Sequence, residues 1–225
     1  MIPPARDARF VAAMEAVLDQ YAQPLDLARP LVCFDEAGKE LRAESRPAMA
    51  ATPTQPRRED PEYRRQGSAN LLLAYAPWLG WRHVTVTTRR TAVEFAQTMR
   101  ALVDVHFPEA EQITVVLDNL NTHHPAALYQ AFPASEAHRL LQKLTFCWTP
   151  RHGSWLNMAE LELAVLSRQC LARRIPDQAA LAQQVTAWVA ARNAAKAAAR
   201  WTFTVDEART RLKHLYPIPL CDSSS

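Results

Sequence analysis

Two short apolar runs, each stopped by an aspartate, constrain this chain more than any other feature. Leu31-Val32-Cys33-Phe34 ends at Asp35, and Ile113-Thr114-Val115-Val116-Leu117 ends at Asp118. Runs that are apolar at consecutive rather than alternate positions suit strands covered on both faces, in a sheet layered with helices. A carboxylate at the end of a buried strand is costly unless it is paired, hydrogen-bonded or bound to a cation. A third acid, Glu160, follows His152-Gly153-Ser154-Trp155-Leu156-Asn157 at the start of a helical segment. Two strand-end acids and one on a helix form a donor set suited to divalent cations and phosphoryl transfer.

The remaining elements fit around these strands. Phe10, Ala13, Met14 and Val17 recur at helical spacing, predicting a helix over residues 7–21. The first strand spans residues 30–35, and because side chains alternate, Asp35 and Glu36 point to opposite faces. Glu36 is then a solvated or hydrogen-bonded neighbour of the site. Residues 39–67 carry Pro47, Pro53, Pro56 and Pro61 among Arg46, Arg57, Arg58, Arg64 and Arg65, which predicts an extended loop unable to bury itself. It is either a solvated insertion or a segment whose arginines contact DNA or another subunit. Strands at 70–76 and 82–88, separated by Pro77-Trp78-Leu79-Gly80, predict an antiparallel hairpin.

A helix over 91–107 precedes the strand ending at Asp118, and Pro125 opens a helix through 126–132. Another helix over 136–143 leads into a strand over 144–148. Residues 154–173 read as one helix whose core stripe is Leu156, Ala159, Leu163, Leu166 and Cys170. At about 100° per residue, Asn157, Glu160, Ser167 and Arg168 gather on one flank of that stripe and Glu162 lies on the other. An alanine-rich helix over 177–196 and a capping box at Thr204-Val205-Asp206-Glu207 complete the pattern. The order predicts an α/β protein: a mixed sheet containing an antiparallel hairpin, with helices on both faces. The first and fourth strands can then lie side by side, bringing Asp35 to Asp118.

Composition narrows the class without naming it. With 225 residues the chain suits one domain with small appendages. We divide it into an N-terminal helix and linker at 1–29, a catalytic domain at 30–217 and a tail at 218–225. No apolar stretch approaches the roughly 18–20 residues of a membrane span, and the first residues lack the apolar run of a secretory signal, so a cytoplasmic protein is expected. The four cysteines form no Cys-x-x-Cys pair, which supports neither a zinc site nor a disulfide framework. A net charge of +3 permits nucleic-acid binding without arguing strongly for it.

Single strand-end aspartates often only cap loops, so the surrounding residues must decide. Phe34-Asp35-Glu36, Leu117-Asp118-Asn119-Leu120-Asn121-Thr122-His123, and Pro150-Arg151-His152-Gly153-Ser154-Trp155-Leu156-Asn157 leading to Glu160 resemble the three acidic blocks of DDE transposases. The likeness is to the bacterial insertion-sequence branch of the mariner superfamily. Tyr63-Arg64-Arg65-Gln66-Gly67-Ser68-Ala69-Asn70 and Leu166-Ser167-Arg168 are similar to it too. The resemblance implies a ribonuclease H-like, retroviral-integrase-like core, with Asp35, Asp118 and Glu160 as catalytic metal ligands. It further implies two Mg2+ ions per site, with Mn2+ able to substitute, and double-stranded DNA as substrate, both transposon ends and target, often at TA dinucleotides. A homodimer assembled through a clamp loop in the place of residues 39–67, and work at the bacterial nucleoid, follow from the same likeness. Family members usually carry N-terminal helix-turn-helix domains that this sequence lacks, which leaves two readings open: a catalytic fragment, or the second of two reading frames joined by frameshifting, with a separate helix-turn-helix partner.

Around the acids, Asn119, Asn121 and His123 are candidates to meet a phosphate or a metal-bound water, and His123 or His124 could instead cap the next helix. Arg151, His152, Ser154 and Asn157 surround the entrance to the Glu160 helix, where backbone N–H groups favour phosphate. With Arg57, Arg58, Arg64 and Arg65 they make up the expected DNA-binding set. Trp155 either stacks on a base or packs internally. Glu162 competes with Glu160 as the third ligand, and the shared polar flank together with the motif favours Glu160. Two other readings remain: a ribonuclease H-like nuclease or resolvase that only hydrolyses, and a decayed DNA-binding module.

Overall fold

A computed structural model describes residues 6–45 and 62–218. Five strands form one sheet in the order β3-β2-β1-β4-β5: β1 Leu31–Glu44, β2 Tyr63–Ala76, β3 Trp81–Thr87, β4 Ile113–Leu117 and β5 Leu144–Trp148. The β1-β2-β3 part is antiparallel, whereas β4 lies parallel to β1 and β5 parallel to β4. The expected hairpin is β2–β3, and the expected neighbours β1 and β4 pair directly.

Alternation along the strands sorts side chains into two layers. Even-numbered residues of β1 and β2 (Val32, Phe34, Leu72, Ala74) pack with α2 (Ala92–Ala101), the following π-turn Leu102–His106, α3 (Ala126–Ala131) and α4 (Ala134–Lys143). Odd-numbered residues (Cys33, Leu73, Tyr75) pack with α1 (Ala8–Ala22), the start of α5 (Met158–Gln169) and α7 (Val205–Arg211). Further along that face, Leu41, Ala69 and Leu71 meet the end of α5 and α6 (Gln178–Ala194). Helix starts follow the capping signals: Asp7, Thr91, Asn157, Asp177 and Thr204 each accept a hydrogen bond from the first turn. Among the described residues no helix is long and apolar enough to cross a membrane.

Two expectations need correcting. Residues 39–44 and 63–67 are not loop; β1 and β2 run past the sheet as a two-stranded ribbon with an irregularity between Glu40 and Arg42. Backbone pairing and burial of Leu41 outweigh the polar composition here, while Arg42 and Arg65 both bind Glu40. The ribbon is fastened to the segment after α5 through Arg42 N–H to Ile175 O at 2.8 Å and Lys39 Nζ to Leu171 O at 2.6 Å. The helix expected over 154–173 is likewise broken. A 3-10 turn, Ser154–Leu156, precedes an extended Asn157, and α5 itself starts at Met158.

Candidate active site

The parallel register places Cys33 opposite Val116. The first strand does not stop at Asp35, as its sequence suggested, but pairs with β2 on to Glu44; two residues beyond the Cys33–Val116 pair, Asp35 lies within β1 and Asp118 just past the end of β4. Asp35 is enclosed enough that burial pushes its carboxyl up to about 7, with the negative charges of Asp118 and Glu160 adding to the rise. The Glu36 N–H, donating to Asp35 Oδ1 at 2.8 Å, and the charge of His123 act in the opposite sense. Asp35 is therefore within electrostatic reach of both other acids.

Asp118 is held by an unusual neighbour. His123 has no exposed side-chain surface, and its Nδ1 lies 2.5 Å from Asp118 Oδ1 while its Nε2 lies 3.0 Å from Glu36 Oε1. Both partners are carboxylates, so both ring nitrogens donate. Burial works most strongly against charge on the ring, yet the hydrogen bonds and charges of Asp118 and Glu36 prevail and raise its pKa to about 9. Glu36 is buried as well, at 2% exposure, and Arg90 Nε lies 3.2 Å from its Oε2. His123 therefore has no ring nitrogen left for a phosphate, which corrects the sequence expectation. Nor does it cap α3: His124 Nδ1 accepts the Ala126 N–H.

The Glu160 helix is fixed from three directions. Gly153 N–H donates to Pro150 O at 2.8 Å, closing a turn in which His152 has a positive φ of 65°. A Cβ on Gly153 would fall 2.5 Å from Pro150 Cγ, so this turn requires glycine. Tyr21 of α1 donates to Leu156 O at 2.7 Å. Asn157 donates from Nδ2 to Phe34 O at 2.8 Å, while its Oδ1 accepts the Ala159 N–H and caps α5. At 1% exposure Asn157 is a tie between β1 and α5, not a surface group for DNA.

Glu160 and Glu162, competitors in the sequence, part company here. Glu162 is buried in an ion cluster, with Arg82 Nε at 2.9 Å and Arg192 Nε at 2.7 Å from its Oε1. Arg82 also donates to Gly80 O and Ala197 O and lies over the Tyr75 ring. Glu162 is thus committed to the structure, whereas Glu160 is partly exposed and interacts with Asp35.

Asn119, Asn121, Arg151, His152 and Ser154 are exposed around this end of the sheet, and Arg64 and Arg65 are exposed on the ribbon. Arg57 and Arg58 lie outside the described residues. Trp155 packs against Trp201 and Phe203 rather than standing free. Sequence reasoning missed the parts played by Arg90, Arg82 and a buried Glu36. The signal for Glu36 was its alternation with Asp35; nothing local marks the arginines.

Among the described residues no three His, Cys, Asp or Glu side chains converge as a preformed cation cage. The donor set nevertheless fits a divalent metal: hard carboxylate oxygens, one of them held at a raised pKa by burial and crowding of like charge. A positive ion between the acids would relieve both. The sheet order, the mixed strand directions, an aspartate within β1 and another just past β4 define a ribonuclease H-like α/β domain. The model of the DDE superfamily endonuclease family matches residues 30–182, and the chain belongs to that family.

Solved structures agree on the fold. The Mos1 strand transfer complex matches with a TM-score of 0.57 at 15% identity, covering 81% of this chain and 53% of that one. The Mos1 mariner paired end complex with Mn gives 0.57 at 15% identity, over 95% and 63%. The corresponding complex with Mg gives 0.54 at 17%, over 97% and 66%. The chain thus spans between about half and two thirds of those Mos1 chains. No curated protein matches it.

Proposed function

We propose that this chain is the catalytic domain of a DDE transposase, with Asp35, Asp118 and Glu160 as the metal ligands. The observation that supports the reading is the Asp35 carboxyl, whose pKa is raised by burial and then by the negative charges of Asp118 and Glu160, acids distant from it in sequence. Double-stranded DNA is the substrate, hydrolysed at a transposon end to free a 3′-hydroxyl that then attacks target DNA. The Mos1 relatives, crystallised as strand transfer and paired end complexes and with Mn or Mg, support the choice of reaction and metal. Two Mg2+ or Mn2+ ions, when bound, would activate the attacking oxygen and stabilise the leaving one.

This chain's own residues supply position. Asp35 stands within β1 and Asp118 just past β4, and Asn157 ties the Glu160 helix to the carbonyl of the residue before Asp35. Exposed Asn119, Asn121, Arg151, His152 and Ser154 would meet phosphates at the entrance, and Arg64 and Arg65, with Arg57 and Arg58, would contact DNA or a second subunit. Work at the nucleoid and membership of the bacterial insertion-sequence branch rest on the motif likeness, as do a homodimer and a separate helix-turn-helix partner.

The test is Mg2+- or Mn2+-dependent cleavage and strand transfer of a pre-cut end by the variants Asp35→Asn, Asp118→Asn and Glu160→Gln. Loss of both reactions with DNA binding retained is expected; activity persisting in all three refutes the assignment. Cleavage without strand transfer by the unaltered protein would favour a nuclease.

A further inference from the structure

Every polar atom of His123 is engaged. Beyond its two ring contacts, its N–H donates to Leu120 O at 2.9 Å, and its carbonyl accepts from Trp148 Nε1 at 3.2 Å. Phe34 and Phe95 each place a ring centroid 5.1 Å from the imidazole, fixing its plane. Behind the ring, the Glu36 side chain is almost wholly enclosed yet faces the partly exposed guanidinium of Arg90. Strand β1 therefore sends one acid to each face: Asp35 to the proposed site and Glu36 to the rear of Asp118. Among the described residues, hydrogen bonding to Asp118 runs through Oδ1 alone. That leaves Oδ2 for a cation.

We propose that Glu36 and His123 are positioning residues for Asp118, with Arg90 holding Glu36, so that the Arg90–Glu36–His123 chain sets the direction in which Asp118 offers its second oxygen. The inference rests on the metal-ligand reading above. Orienting groups one step behind a metal ligand commonly alter metal affinity by about 10–100-fold when removed. A buried pair serving only the fold would alter stability instead.

The test measures Mn2+ affinity of the full chain by titration calorimetry, with circular dichroism to confirm folding. The amide nitrogen of asparagine falls near His123 Nδ1 and that of glutamine near Nε2, so the two replacements separate the roles. His123→Asn, which keeps the Asp118 contact and loses Glu36, should weaken Mn2+ binding about tenfold, whereas His123→Gln, which loses the Asp118 contact, should weaken it about 100-fold. Glu36→Ala should weaken it about tenfold. Arg90→Ala, a substitution at the surface that leaves the core intact, should weaken it about two- to fivefold. Equal affinities for the two His123 variants, or parental affinity in both Glu36→Ala and Arg90→Ala, would overturn the proposal. Asp118→Asn serves as the control: if it binds Mn2+ like the parent, the metal-ligand reading itself fails. If Asp118→Asn loses binding and the positioning variants do not, the positioning proposal alone fails.

Discussion

Replacing Asp35 by asparagine should make the metal-free protein more stable while abolishing its activity. Burial, then the charges of Asp118 and Glu160, push the Asp35 carboxyl from 3.8 to about 7. In the unfolded chain it ionises near its ordinary value. Between about pH 4 and pH 7 the folded protein therefore holds a proton that the unfolded chain has lost, and stability falls as pH rises. Below that window the difference vanishes, and above it the loss is complete. A shift of about three units corresponds to about 4 kcal/mol as an upper bound, and relaxation with water entry should reduce it to about 1–3 kcal/mol. Asparagine keeps an oxygen for the Glu36 N–H and carries no charge, so it escapes this loss. Urea unfolding with a chelator, at about pH 8 and about pH 4.5, reads the difference. Asp35→Asn should exceed the parent at the higher pH and approach it at the lower. Adding Mg2+ should narrow the gap by stabilising only the parent. Equal or lower stability of the variant at the higher pH would refute the reasoning.

Three further outcomes follow from the same geometry. Glu162→Ala should cost about 3–5 kcal/mol in urea unfolding, because Arg82 and Arg192 would be left facing each other without the carboxylate; Glu160→Gln, tested alongside, should leave stability nearly unchanged. Asn157→Ala should lose about 2–4 kcal/mol, the sum of a lost helix cap and an unpaired buried Phe34 carbonyl, and should reduce strand transfer beyond what the fraction unfolded explains. Gly153→Ala should lower the thermal midpoint and the activity together, since the new Cβ would collide with Pro150, whereas Gly38→Ala, with open space at its Cβ, should do neither.

Local patterns carried much of the architecture. Consecutive apolar residues identified β1 and β4 as interior strands, and the Pro-Trp-Leu-Gly spacer identified the β2–β3 hairpin. Capping residues located helix starts because they act within a turn of the chain. The ribbon escaped notice for the opposite reason: residues 39–44 and 63–67 are polar, and only the pairing of each with the other, together with Leu41 under α6, makes them strand. Glu162 competed with Glu160 in the sequence because its partners, Arg82 and Arg192, lie 80 and 30 residues away along the chain.

Sequence alone determined the alternation of strands and helices and the aspartates that follow two apolar runs, since each depends on neighbours a few positions apart. The tertiary structure decided which polar groups face a substrate and which serve the interior. His123, Asn157, Glu36 and Glu162 all read as surface chemistry, yet each is buried against a partner supplied by another element. Burial of a charge is tolerable only with such a partner, and partners are chosen by folding rather than by proximity along the chain.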